Sequence, residues 1–376
     1  MASASAGSGH MRAGEALREA VVELDPELRV EHVDVLDLAP PWVRSLYAGS
    51  FELVAARAPR VWRTLYGATD RLVPNLGMGP LAERLLFRDF RRLLVSGRWR
   101  ACLCTHFLPL QLIRSLPELP PFHAVVTDFT LHRYWTQRRA GRYFVATPEL
   151  ARELRLKVPA ARVLATGIPV SPAFSRPPPR HEARRQLGLD SERPVALVMG
   201  GGLGLGVEAT AAAALAAPVD GLQVLAVCGD NSAVADRLRS LGVPASRLRV
   251  FGYVRDVERL MSAADVVLGK PGGLTASEAL AVGRPLLLTR PIPGHEEANL
   301  QALLRTGAAV AATDGDAVKA ELAALFGDPA SLRRLTAAAR LAGRPTAAHE
   351  IARAVVPTTG AGADPAPAET VGVGAS

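Results

Sequence analysis

Gly269-Lys-Pro-Gly-Gly-Leu-Thr-Ala-Ser-Glu-Ala-Leu280 runs on to Arg284-Pro285, and Pro293-Gly-His-Glu-Glu-Ala-Asn299 follows. Immediately upstream, Asp265-Val-Val-Leu268 reads as a short buried strand. The glycines therefore fall on a strand-to-helix turn at the carboxyl edge of a sheet, where open α/β sheets bind their ligands. Gly272 and Gly273 admit a close approach to the backbone. The helix expected from about Thr275 aims its unpaired N–H groups and positive dipole end at the turn, which suits an anion. Taken by themselves, Thr275 and Glu278 also have the spacing of a capping box. Glu296 and Glu297 are likewise acids of the kind a helix dipole favours in a first turn.

Outward from this stretch, short β-branched runs alternate with helical patterns, as parallel sheets with crossover helices require. Strands are predicted near residues 29–35, 100–105, 124–127, 143–146 and 162–165, with Asp37, His106, Asp128, Thr147 and Thr166 at their carboxyl ends. A second set is predicted near 195–199, 223–227, 249–251, 265–268 and 286–288. Between the sets, Ser171-Pro-Ala-Phe-Ser-Arg-Pro-Pro-Pro-Arg180 breaks the pattern, because successive prolines continue neither helix nor sheet. The expected fold is α/β, with two Rossmann-like domains whose parallel sheets face a cleft. Residues 1–170 form the first domain, 171–190 a linker and 191–355 the second. The Gly, Ala, Pro and Thr-rich tail 356–376 has too little apolar content to fold.

Three further segments carry chemistry. In Val198-Met-Gly200-Gly-Gly-Leu-Gly-Leu-Gly206 the amides of Gly200, Gly201 and Gly202 can cradle a diphosphate between strand and helix. The run misses the Gly-x-Gly-x-x-Gly spacing, and Asp220 precedes the next strand where a dinucleotide-binding acid follows it, so a nicotinamide-dinucleotide reading is weak. His10, in Gly7-Ser-Gly-His10-Met-Arg12, is either a structural loop residue or a base whose ordinary pKa lies near working pH. Only Met1 to Ala4 stand ahead of that loop, too few to cross a sheet at about 3.3 Å each, so the strand leading into it is expected to be missing. Asp128, in Val125-Val-Thr-Asp128-Phe-Thr-Leu-His132-Arg-Tyr-Trp135, is placed to orient His10, to shape a pocket or to cap the next helix. Asp314-Gly-Asp316 reads as an N-cap of a helix over 317–325 in preference to a metal pair, and no metal site is expected.

In this order the motifs resemble the GT-B glycosyltransferases of family 28. That family includes monogalactosyldiacylglycerol synthase, the processive diacylglycerol glucosyltransferases and the lipid-linked N-acetylglucosaminyltransferase of peptidoglycan synthesis. The resemblance covers about residues 3–310. It implies a UDP-sugar as co-substrate, no metal or other cofactor, and inverting transfer of a hexose to a lipid hydroxyl, with diacylglycerol the first acceptor to consider. By resemblance, Glu278 holds the ribose hydroxyls of UDP, while His295, Glu296 and Asn299 hold the sugar. His295 stands where the family has Gln, and an imidazole lacks an amide's paired donor and acceptor. Gly200, Gly201, Gly202, Asn231, Gly272, Gly273 and Thr275 surround the diphosphate, and Lys270 is the lysine available to neutralise it. Tyr253 and Val254 fall where backbone atoms grip uracil. His10 becomes the general base, Asp128 and Glu296 join it as catalytic residues, and Trp135 lies on the acceptor side.

Composition narrows the partners. Of 44 basic residues 41 are arginine, and the net charge of +8 is concentrated between Arg57 and Arg100, where ten arginines face three acids. Residues 81–94 read as one amphipathic helix, with Leu81, Leu85, Leu86, Phe90 and Leu93 against Arg84, Arg88, Arg91 and Arg92. Such a helix is either a solvated surface helix or, by the resemblance, a face for anionic lipid carrying Arg84, Arg88 and Arg92. No helix-turn-helix, zinc or aromatic RNA-binding motif accompanies the arginines, which argues against nucleic acid. Three cysteines at 102, 104 and 228 make no metal-ligand spacing. Without a secretory signal or a membrane-spanning run, the expected location is cytoplasmic, peripheral on the inner face of the cell membrane. The other readings are transfer to a soluble secondary metabolite, UDP-sugar 2-epimerisation, and binding of a UDP-sugar without catalysis.

Overall fold

A strand buried on both faces needs an uninterrupted apolar run, and Val195–Met199 is buried along its whole length. It lies inside one of two parallel sheets in the computed structural model, which describes residues 1–5, 7–45, 80–97, 99–113, 120–136, 140–292 and 294–356, without the side chains of 80–82 and 295. The tail beyond Val356, together with Arg57, Arg60, Arg63, Arg71 and Arg98 of the basic stretch, lies outside the described residues.

The first sheet comprises β1 (Ala2–Ser3), β2 (Val33–Asp34), β3 (Cys102–Cys104), β4 (Phe122–Val125), β5 (Arg142–Phe144) and β6 (Arg162–Leu164), in the order β2-β1-β3-β4-β5-β6. Its helices are α1 (Ser8–Leu24), α2 (Pro80–Leu86), α3 (Arg88–Ser96), α4 (Phe107–Leu112) and α5 (Pro148–Lys157). After α6 (Arg180–Gln186), the second sheet comprises β7 (Val195–Met199), β8 (Gln223–Val227), β9 (Leu248–Phe251), β10 (Val266–Gly269), β11 (Leu286–Leu288) and β12 (Ala309–Ala311). Its order is β12-β11-β10-β7-β8-β9. The helices on it are α7 (Val207–Leu215), α8 (Ser232–Arg239), α9 (Val257–Ala263), α10 (Gly273–Ala281), α11 (His295–Arg305), α12 (Gly315–Gly327) and α13 (Pro329–Ala342).

These two strand orders decide where a ligand binds. In a doubly wound sheet the crevice opens where the strand order reverses, outside the carboxyl ends of the two strands concerned. In the first sheet that point lies between β1 and β3, and in the second between β7 and β10. His10 follows β1, and the two glycine turns follow β7 and β10.

The first strand is present, contrary to expectation. Ala2 and Ser3 pair with Val33 and Asp34 on one side, and Ala2 pairs with Cys104 on the other. Val33 N–H donates to Met1 O, Val35 N–H to Ser3 O and Thr105 N–H to Ala2 O, so two residues suffice to bridge the neighbouring ladders. Such a strand is too short to leave a periodic signature. The alanine-rich β12 was not anticipated either.

Two helices also differ from the sequence reading. The basic amphipathic helix breaks at Phe87, which is fully buried; together with Phe90 and Leu94 it sets the inward face and leaves Leu85 exposed. The last described helix, α14 (Ala347–Val355), was grouped with the second sheet but returns to the first. Its Ala348, Ile351 and Ala352 pack with Ala16, Leu17, Ala20 and Val21 of α1 and with Leu103, Val125 and Phe144 of the sheet. Full burial of a residue such as Ile351 contributes about 1.5–3 kcal/mol. Among the described residues no helix is long and apolar enough to cross a membrane.

Candidate functional site

The first turn of α1 carries the histidine. Gly7 sits before it at φ 112°, a conformation that L side chains avoid, and this lets the chain swing from β1 into the helix with His10 on the cleft side. His10 Nδ1 lies 3.0 Å from Thr105 O and 2.8 Å from Thr127 Oγ1. A carbonyl only accepts, so Nδ1 carries the ring proton and Nε2 is the basic nitrogen. The His10 ring stands edge-on to His106 at 4.6 Å. His106 accepts from Leu108 N–H, and burial, with His10 adding to it, holds its pKa well below the usual histidine value. His106 is therefore a neutral neighbour.

Asp128 does not orient His10. Successive residues at a strand end point to opposite sides, so Thr127 reaches His10 while Asp128 accepts from Asn299 Nδ2 at 2.9 Å. Nor does Asp128 cap a helix: the 3₁₀ turn Arg133–Trp135 is capped by His132.

On the second sheet, α10 begins at Gly273, two residues earlier than expected, and no side chain caps it. Thr275 is thus inside its first turn, and Glu278 lies too deep in the helix to close a capping box. Instead Glu278, only 2 % exposed, accepts from Arg12 Nη2 at 2.8 Å. Burial raises its pKa and Arg12 opposes that rise. Lys270 follows β10 and bonds Glu296 at 2.6 Å; the other Glu296 oxygen accepts from Ile292 N–H at 2.7 Å. Glu296 therefore fixes Lys270 beside the glycine turn after β7, where a Cβ on Gly201 would lie 3.8 Å from Lys270 Cε. Glu297 is the first-turn acid that closes back on Gly294 N–H, at 3.1 Å. Asn231 caps α8 through Val234 N–H and donates to Leu203 O at 3.1 Å, pinning the glycine turn.

The two edges meet. Ser8 Oγ accepts from Gly202 N–H at 3.3 Å. Asn299, fully buried, accepts from Phe129 N–H at 2.9 Å while donating to Asp128. Gly273 lies so close to Thr127 that a Cβ there would be 2.1 Å from the Thr127 carbonyl oxygen. His10, Glu278, Lys270, Gly200–Gly202, Gly272, Gly273 and Thr275 are thereby brought to one crevice. Tyr253 is 54 % exposed and Val254 half-buried, both on the turn after β9. The side chain of His295 lies outside the described residues.

The acceptor-side residues separate. Trp135 is 2 % exposed and packs edge-on against Phe107 with ring centroids 6.1 Å apart, so it supports the sheet edge from within. Arg84, Arg88 and Arg92 are exposed on α2 and α3 and, with Arg91, Val95 and Ser96, line a surface hollow of about 430 Å³. Asp314 caps α12 through Ala317 N–H at 2.9 Å, and Asp316 pairs with Lys319 at 2.6 Å.

Sequence reasoning passed over Arg12, Thr105 and Thr127. Only Arg12 carried a visible sign, as a cation two residues from His10, and nothing local to it points to Glu278.

Both halves of the chain have relatives among known proteins. Residues 10–170 match the monogalactosyldiacylglycerol (MGDG) synthase family, and residues 180–342 match glycosyl transferases group 1. A processive diacylglycerol β-glucosyltransferase of Bacillus cereus is 34 % identical over 254 residues, 65 % of this chain and 65 % of that one. A probable chloroplastic monogalactosyldiacylglycerol synthase of Glycine max is 29 % identical over 367 residues, 92 % of this chain and 68 % of that one. The match to the Bacillus cereus relative thus spans just under two thirds of its length. Among solved structures, MurG of Acinetobacter baumannii superposes with TM-score 0.56 at 17 % identity, covering 94 % of this chain and 98 % of that one. The UDP-GlcNAc 2-epimerase of Neisseria meningitidis superposes with TM-score 0.61 at 13 % identity, with the same coverage of 94 % and 98 %. At such identities the likeness is one of fold.

Proposed function

Since the chain belongs to the family 28 GT-B glycosyltransferases, on the branch of the monogalactosyldiacylglycerol synthases and processive diacylglycerol glucosyltransferases, we propose that it transfers a hexose from a UDP-sugar to a lipid hydroxyl, diacylglycerol in the first instance, with inversion at the anomeric carbon. The observation that carries this reading is the setting of His10: its Nδ1 proton is committed to Thr105 O, and its helix turn abuts both glycine turns. In the proposed step Nε2 takes the acceptor hydroxyl proton as the oxygen attacks the anomeric carbon. The bond from that carbon to the diphosphate breaks on the opposite face, so an α-linked donor gives a β-glycoside. The departing UDP is stabilised by the uncapped amides of α10, by the glycine-turn amides and by Lys270 held on Glu296; this assignment needs no metal. Glu278 takes the ribose hydroxyls. The role of Asn299 changes from the one the resemblance implies: with both amide atoms bonded to the acceptor side, we assign it to joining the two edges.

An assay of radiolabelled UDP-glucose, UDP-galactose and UDP-N-acetylglucosamine against diacylglycerol vesicles tests the reading. A labelled β-glycolipid from one of these donors is expected. Isomerised nucleotide sugar without any acceptor, or UDP binding without turnover, would overturn it.

We further propose that the enzyme works at the inner membrane face, docking by the arginine hollow on anionic lipid. The attraction of exposed arginines to such a surface is screened within about 8–10 Å at ordinary salt. Sedimentation with phosphatidylglycerol vesicles should therefore fall with added salt and be abolished by Arg84→Glu, Arg88→Glu and Arg92→Glu together. A parent protein that ignores these vesicles would favour a soluble acceptor.

A further inference from the structure

Glu278 is held from the wrong side. It lies in α10 of the second sheet, yet its one ionic partner among the described residues, Arg12, belongs to α1 of the first, 266 positions away in the chain. The pair is asymmetric in exposure: the carboxylate side chain is 3 % exposed and the guanidinium 29 %. It is also asymmetric in geometry. Arg12 contacts Oε1 alone, through Nη2 at 2.8 Å, and among the described residues Oε2 accepts no hydrogen bond. A bidentate clamp would have used both oxygens. Glu258 of α9 is the other charged group whose field reaches Glu278, and it is repulsive. A buried carboxylate facing another acid needs a cation to stay ionised, and here the first sheet supplies it.

We propose that Arg12 is a positioning residue of the donor site, supplied by the acceptor-side sheet: it anchors Oε1 of Glu278 and leaves Oε2 for the ribose hydroxyls. The donor site is then composite, and the ribose is held in full only when α1 is seated on α10. Donor affinity consequently reports closure of the cleft, and the same helix turn that carries His10 also completes the site for the sugar nucleotide. Arg12 does not touch the reacting atoms; it acts through Glu278. This inference rests on the assignment of Glu278 to ribose.

The test is a double-mutant cycle on Arg12→Met and Glu278→Gln, read by calorimetry with UDP and with 2′,3′-dideoxyuridine diphosphate, with Arg12→Lys as the conservative variant. Removing a charge-assisted partner predicts about tenfold weaker UDP binding in either single variant. Arg12→Met should add little when Glu278→Gln is already present, because the two act as one unit. The dideoxy ligand should bind all variants about equally, and Arg12→Lys should recover part of the loss. If Glu278→Gln weakens UDP while Arg12→Met does not, the inference fails and the ribose assignment stands. If Glu278→Gln leaves UDP affinity unchanged, the ribose assignment itself fails. Equal losses for UDP and the dideoxy ligand in Arg12→Met would overturn the proposed route through Glu278.

Discussion

The two switch points of this molecule solve opposite problems with opposite materials. At the second, between β7 and β10, the strands are four and five residues long and wholly buried, and what they present is mostly backbone: glycine turns and the uncapped start of α10. At the first, between β1 and β3, the leading strand is two residues long, and what it presents is side chains: His10 with Thr105, Thr127 and His106 around it. Amides suit a diphosphate, whose charge is spread and whose position must be fixed. A movable proton needs an imidazole in a set tautomer. The short strand is tolerated because hydrogen bonds from Val33, Val35 and Thr105 tie it on both sides, and because Ser3 Oγ bonds Thr105 Oγ1 at 2.6 Å and His32 Nε2 at 2.7 Å.

The sharpest way to break this division of labour is to remove the His10 imidazole alone. His10→Ala should cut the transfer rate by about 10²–10⁴, the usual contribution of a general base, while UDP affinity stays near that of the parent. A variant that keeps most of its rate would show that the first switch point contributes surface and not chemistry. A variant that loses UDP affinity in the same proportion would show that the two points are not separable.

Where the two edges touch, the comparison can be sharpened by one methyl group. Gly273→Ala places a Cβ 2.1 Å from the Thr127 carbonyl oxygen, with Asp128 Cα at 3.4 Å. Both are backbone neighbours that cannot rotate away, so the edges must part. Overpacking of this kind costs about 1–3 kcal/mol, which predicts a fall in transfer of roughly one to two orders of magnitude. Mutating a position in the second sheet should thus weaken the step proposed for His10 on the first. Unchanged kinetics at an unchanged melting temperature would mean that the two edges do not work in contact.

How far the sequence could be read follows the same contrast. Val195–Met199, Gln223–Val227 and Leu286–Leu288 were placed to the residue, because burial on both faces demands runs of apolar residues that nothing else in a chain of this kind requires. Asp314 as an N-cap was legible for an equally local reason. The first strand was not, since Ala2–Ser3 is shorter than any period. Of the roles open to Asp128, contact with His10 falls instead to Thr127, one position earlier, because the sequence does not reveal which of two residues at a strand end turns inward. Arg12 with Glu278 and Asp128 with Asn299 are pairs 266 and 171 residues apart. They exist only because two sheets face each other, so no spacing could disclose them.

The smallest expected effect concerns how the two sheets fail in acid. The strands of the second sheet contain no histidine and no carboxylate, whereas β4 of the first carries His123, 7 % exposed, with its ring 6.4 Å from that of Phe144. Its Nδ1 is buried with no hydrogen-bond partner among the described residues. Burial, with Arg142 adding to it, lowers its pKa from 6.5 to about 4. Between those values the unfolded chain binds a proton that the folded chain refuses, so stability is complete above about pH 6.5 and is lost as pH falls toward 4, by at most about 3 kcal/mol. His123 lies on the same face of β4 as Val125, which packs under α14, so the loss should open that helix and the first sheet while the second stays closed. Hydrogen exchange followed from pH 7 to pH 4.5 should show protection falling in residues 122–125 and 347–355 before 195–199, and His123→Leu should narrow the difference, the remainder falling to His106, whose buried ring also resists protonation. If the parent and His123→Leu lose protection in parallel, the asymmetry in acid stability lies elsewhere, with the buried His106 after β3 the next group to replace.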